Sequence, residues 1–213
     1  TRFYFSLDGT VFVAPTTFSG WNETNGALLS RKLTTNKGVS AITVGSRLAF
    51  TVGNNQLDRQ YVSDPMDAGV SFNGATVKCY LMGREYNNGD NTVYVINVRV
   101  MSRDGQTEKH TIISRSGTVE LINNATHRNA GLATGQSIAN YNTLLGERIV
   151  VEIGFTDLTG TTPEGSYKWG ENATDCAENE TGTTDAAGWI EFSNDITFEN
   201  ADYESGTAGD MTF

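Results

Sequence analysis

The chain has 213 residues, with 25 acidic side chains against 15 basic ones and a formal net charge of -10. That charge repels a phosphate backbone and no local Lys/Arg cluster offsets it, so nucleic acid is not an expected partner. Apolar residues at 38%, charged residues at only 19% and 23 glycines describe a turn-rich β protein and argue against a helical one.

No stretch approaches the roughly 18 apolar residues of a membrane span. The opening TRFYFSLDGTVFVAP has no basic segment followed by an apolar run of signal-peptide length. The expectation is a soluble chain, made in a cytosol or already trimmed, with no membrane partner.

In chain order, RFYF (2–5) opens with Phe3 and Phe5 toward a core and Arg2 and Tyr4 outward, either on an edge strand able to add to a neighbour's sheet or, the favoured reading, on a first strand fully paired within its own sheet. Strand candidates follow at 27–33, 46–52, 59–63 and 70–82. The segment TVYVINVRVM (92–101) alternates: Tyr94, Ile96, Val98 and Val100 form an apolar face, while Val93, Val95, Asn97, Arg99 and Met101 form one that turns polar. Asp104-Gly105 then gives the clearest hairpin signal in the chain. Beyond it lie KHTII (109–113) and TVELI (118–122), then a Gly-rich stretch at 125–147 that reads as a long loop with one short strand near 137–139. ERIVVEIGF (147–155) reads as a half-buried strand, followed by SYKW (166–169) and GWIEFSNDITF (188–198).

About ten short strands without a helical period call for an all-β fold: a single two-sheet antiparallel β-sandwich, jelly-roll-like, over residues 1–198. Residues 199–213 lose the alternation and read as a polar C-terminal tail or arm. Its apolar tip, Met211 and Phe213, joins Arg2 and Tyr4 as a candidate subunit contact.

Three kinds of site compete. Residues 164–185 collect Glu164, Glu171, Asp175, Glu178, Glu180 and Asp185 around one base, Lys168. Such repulsion favours open solvation or a hard cation, so a structural calcium has candidate ligands in Glu171, Asp175, Glu178, Glu180 and Asp185, although the spacing of a helix-flanked calcium loop is absent. Trp21, Tyr141, Tyr167 and Trp169 fall in or near predicted loops and are the candidate sugar-stacking aromatics of a glycan-binding module. For glycoside hydrolysis, Glu152 and Glu191 meet the condition of lying on strands, since VVEIG and WIEFS as neighbours would put both carboxylates on one face; alternation alone places both on the solvated side of half-buried strands.

There is no nucleophile elbow, His110 and His127 stand apart, and no phosphate-binding Gly loop is present. No catalytic residue is assigned and a non-enzymatic role is expected. Cys79 and Cys176 are too few for a disulfide framework or a structural zinc, and Cys79, aligned with Val77 and Leu81, reads as a buried free thiol. Four N-x-S/T triplets, at Asn22, Asn124, Asn172 and Asn179, match chance in a chain this rich in Asn, Ser and Thr.

RQYVSDP (59–65), VMSRDG (100–105), ERIVVEIGF (147–155) and GWIEFSNDITF (188–198) after an acidic, Thr-rich loop together resemble uncharacterised β-sandwich virion proteins of tailed bacteriophages and viral metagenomes. The likeness spans most of residues 2–198. It implies a virion component, made in the host cytoplasm, that binds other virion subunits or copies of itself as a capsid decoration, neck or tail protein. It transfers no active site. The extension past Phe198 and the two cysteines are not features of that group.

Overall fold

A computed structural model describes residues 1–11, 13–25, 30–45, 47–87, 89–121, 127–178 and 186–199. The described residues contain thirteen strands: β1 (Arg2–Thr10), β2 (Glu23–Thr24), β3 (Ser30–Thr34), β4 (Thr43–Val44), β5 (Leu48–Ala49), β6 (Asn55–Val62), β7 (Thr76–Glu85), β8 (Thr92–Met101), β9 (Glu108–Glu120), β10 (Arg128–Ser137), β11 (Arg148–Asp157), β12 (Glu164–Trp169) and β13 (Trp189–Phe192).

The expected pair of separate antiparallel sheets is replaced by one continuous mixed sheet, in the order β4-β12-β7-β13-β1-β3-β6-β11-β8-β9. β10 pairs with β7, β2 with β6 and β5 with β12. β2 and β3 run parallel to β6 and the other pairings between these strands are antiparallel. The physical reason for continuity is β1: it bonds β13 on one side and β3 on the other, joining strands that would otherwise end two sheets. RFYF therefore lies inside the sheet, as the favoured reading of a first strand paired within its own sheet has it, and not at an edge open to a neighbour.

The sheet folds over its own apolar face. Tyr167 on β12 stacks on Phe155 of β11 at 4.4 Å and 12°, although these strands share no pairing, and its hydroxyl donates to the Gly154 carbonyl at 2.7 Å. The Tyr94 hydroxyl on β8 donates to Cys79 Sγ on β7 at 3.0 Å. Each fully buried Val, Leu, Ile or Phe in such a core contributes about 1.5–3 kcal/mol, and Phe3, Leu33, Val77, Leu81, Ile96 and Ile190 are all buried. Cys79 belongs to this core as its alternation with Val77 and Leu81 implies.

Asp104-Gly105 forms the hairpin its residues announce: Gly105 has φ +73°, a left-handed conformation that suits glycine, and Met101 faces Glu108 across the turn. KHTII and the first three residues of TVELI merge into the single strand β9. The stretch read as a long loop contains the ten-residue strand β10 paired with β7. Its glycine follows from close approach, because a Cβ on Gly131 would come within 1.9 Å of the Cys79 carbonyl oxygen.

Strand β11 is buried on both faces, a correction to the half-buried expectation. The polar face of β8 and β11 is roofed by residue 11 and residues 13–25, with Trp21 and Phe18 packed on Leu57, Val93 and Val95, and Val11 packed on Val62, Met101 and Val150. Glu152, 0% exposed, is the anchor of that roof. It accepts from Phe18 N at 3.0 Å, Trp21 Nε1 at 2.9 Å, Gln60 Nε2 at 3.1 Å, Asn97 Nδ2 at 3.1 Å and Arg99 Nη2 at 2.9 Å.

Candidate functional site

The most exposed apolar side chain of the described core-forming types is Val39, 86% exposed, and with Val44 (56%) and Ile42 (37%) it lies on the run VSAITV. This run ends in β4, the terminal strand of the sheet, which pairs only with β12 among the described residues. An edge strand offers both apolar side chains and unpaired main-chain groups to another chain.

What holds the run in place is a set of ionic contacts reaching across the molecule. Lys37 Nζ donates to Asp175 Oδ1 at 2.8 Å and to the Ala173 carbonyl at 2.9 Å. The other oxygen of Asp175 accepts from Arg2 Nη1 at 2.9 Å and from the Tyr4 hydroxyl at 3.0 Å. Partial burial by itself would raise the Asp175 carboxyl, but Lys37, Tyr4 and Arg2 outweigh it and hold the group below its ordinary value. Arg2 also pairs with Glu191 at 2.8 Å and lies 4.0 Å above the Trp189 ring. Three residues on, Ser40 Oγ donates to Glu171 Oε2 at 2.7 Å, and the Ser40 carbonyl accepts from Glu171 N and Asn172 N.

The structure thus brings Arg2, Tyr4, Glu171 and Asp175 together, as the brace behind an exposed edge. Sequence reading had separated them into a contact pair and a metal cluster. Asp175 and Glu178 look uncompensated only along the chain, since the cations of Asp175 come from β1 and from residue 37 and that of Glu178 from Lys78 at 2.8 Å. Asp175 and Glu178 therefore turn to separate partners, Arg2 with Lys37 and Lys78 respectively. Glu180, Asp185, Met211 and Phe213 lie outside the described residues.

Of the four candidate sugar-stacking aromatics, Tyr167 and Trp169 are core residues and Trp21 is buried against Glu152. Tyr141 is half-buried, stacked on His110 at 4.7 Å with its hydroxyl on Glu147. Glu152 and Glu191 are not neighbours, because β11 pairs with β6 and β8 while β13 pairs with β1 and β7. Nor is Glu152 solvated, as alternation alone predicts; the roof of residue 11 and residues 13–25 covers it. His127 is buried on Ser166 at 2.9 Å.

Sequence reasoning missed Val39, Ile42 and Val44. The signal was present: an apolar run outside the alternating core, next to the Asn36-Lys37-Gly38 turn. The same criterion had selected RFYF, whose side chains turn out to have partners.

No protein-family model and no curated protein matches the chain. Among solved structures it is similar to infectious bursal disease virus, Gt strain, at 12% identity and a TM-score of 0.37 over 93% of this chain. It is also similar to the Gx strain of that virus, at 9% identity and a TM-score of 0.30 over 78% of this chain. The chain spans 40% and 39% of those two chains.

Proposed function

We propose that this chain is a non-enzymatic structural subunit of a tailed-phage virion, a capsid decoration or neck/tail protein that joins other virion subunits through the 39–44 edge. The observation that carries this reading is that three β-branched apolar residues, Val39, Ile42 and Val44, stand exposed along the run that leads into the terminal strand β4, with Val44 on the strand itself. Behind them, Lys37, Ser40, Glu171 and Asp175 keep the segment in one shape, which lowers the ordering cost of an association. The all-β fold and the likeness of the strand phrases to phage sandwich proteins agree with it. Leu144 and Leu145, each 64% exposed on the turn before β11, are a second apolar point but offer no strand edge.

The test labels density-banded phage particles with antibody raised against the purified chain, and adds back wild-type protein or a Val39→Asp/Val44→Asp variant to particles lacking it. Label on the particles, and rebinding by wild type at least about tenfold tighter than by the folded variant, is expected. Label confined to the particle-free fraction, or equal rebinding by both proteins, refutes the reading.

A further inference from the structure

Where the β7–β8 turn meets the β11–β12 loop, the fold gathers acids that no base neutralises. Glu85 closes β7, Asp90 lies in the turn and Asp157 closes β11, and these three are 4%, 5% and 1% exposed. Among the described residues none of them forms an ion pair. Main-chain N–H groups satisfy one oxygen of each aspartate. Asn91 N and Thr159 N donate to Asp157 Oδ1 at 3.0 and 2.9 Å, and Thr161 N donates to Asp90 Oδ1 at 3.2 Å.

The second oxygen of each, Oδ2, is buried and has no hydrogen-bond partner. Thr92 Oγ1 is in the same condition, and Thr92 stands opposite Asp157 in the β8–β11 register, so the two side chains share a face. Gly160 shows how close the carboxylates come: a Cβ there would lie 2.3 Å from both Asp157 Oδ2 and Asp90 Oδ1. One ion at ordinary calcium–oxygen distances, roughly 2.3–2.6 Å, can therefore reach both.

Buried acceptors without donors, set beside one another, are open to a cation. Among the described residues no three His, Cys, Asp or Glu side chains converge on one point, so the donor set is two carboxylates completed by neutral oxygens. An all-oxygen set without nitrogen or sulfur suits a hard cation.

We propose that Asp90 and Asp157 hold a calcium-class divalent cation, with Thr92 Oγ1 as a third ligand and water completing the shell. The ion pins the β7–β8 turn to the β11–β12 loop. This site is distinct from the acidic stretch after β12.

The test uses the full chain stripped with chelator and titrated calorimetrically with calcium and, separately, magnesium, together with thermal melts. Wild type, Asp90→Asn, Asp157→Asn and the control Asp175→Asn are compared. Asparagine keeps an Oδ1 acceptor for the main-chain N–H groups, so the variants retain the local fold and lose one charge from a repelling cluster.

The expected pattern is a crossover. Without metal both variants melt at or above wild type; with millimolar calcium wild type rises past them, because a ligand of the native state raises its stability. The variants bind calcium at least about tenfold more weakly, and Asp175→Asn binds like wild type. A wild-type midpoint indifferent to both metals overturns the proposal. So does calcium binding that survives in Asp90→Asn and Asp157→Asn, or binding lost only in Asp175→Asn.

Discussion

Replacing Glu152 by glutamine tests whether the roof over β8 and β11 is held by charge or by packing. The carboxylate receives five donors, three of them on Oε1: Phe18 N, Gln60 Nε2 and Arg99 Nη2. Trp21 Nε1 and Asn97 Nδ2 donate to Oε2. A glutamine amide has one acceptor oxygen, so whichever way it turns, its NH2 faces donors. Arg99, 3% exposed, keeps only Glu108, at 3.6 Å, as an anion. Removing one member of a buried ion pair costs about 3–5 kcal/mol, a large share of the roughly 5–15 kcal/mol that holds a domain folded.

Urea unfolding, read as a lower midpoint with an unchanged slope, measures this loss. The double variant Glu152→Gln/Arg99→Gln should lose less than the two single variants added together, since it leaves no uncompensated charge. A loss below about 1 kcal/mol for Glu152→Gln, or strict additivity in the double variant, would show that the roof is held by Phe18, Trp21 and Val11 alone and refute the reasoning.

Burial, with Arg84 and Lys168 adding to it, lowers His127 from 6.5 to about 4. The unfolded chain therefore binds the extra proton first, and the stability tied to neutral His127 is complete above pH 6.5 and lost as pH falls toward 4. The difference in unfolding free energy between wild type and His127→Gln should shrink by about 2 kcal/mol from pH 7 to pH 5; a pH-independent difference contradicts a buried neutral imidazole. Burial pushes the Cys79 thiol up to about 12, outweighing the hydrogen bond from Tyr94, and Cys176 is 2% exposed. Neither should react with a thiol reagent at pH 8 until the chain is unfolded, when both should; rapid labelling of the native chain would place a cysteine outside the core.

Much of the strand pattern was legible because alternation is a local property: successive side chains leave a strand on opposite faces whatever lies above them. Tyr94, Ile96, Val98 and Val100 declared a core face, and Asp104-Gly105 declared a hairpin. β10 was not legible, because its glycines answer to the β7 backbone they touch and weaken any periodic signal. Nor was the continuity of the sheet, since the two partners of β1 lie near opposite ends of the chain.

The candidate edge was half legible. VSAITV carries the apolar signal, but only the folded chain shows that Arg2 and Lys37 neutralise Asp175, while Asp90 and Asp157 meet with no base between them. Composition and period two thus determined by themselves that this is a β protein and which side chains alternate. The tertiary structure decided which faces are roofed, which acids are paired and which edge is bare, because burial and charge compensation depend on groups far apart along the chain, such as Arg2 with Asp175 and Phe18 with Glu152.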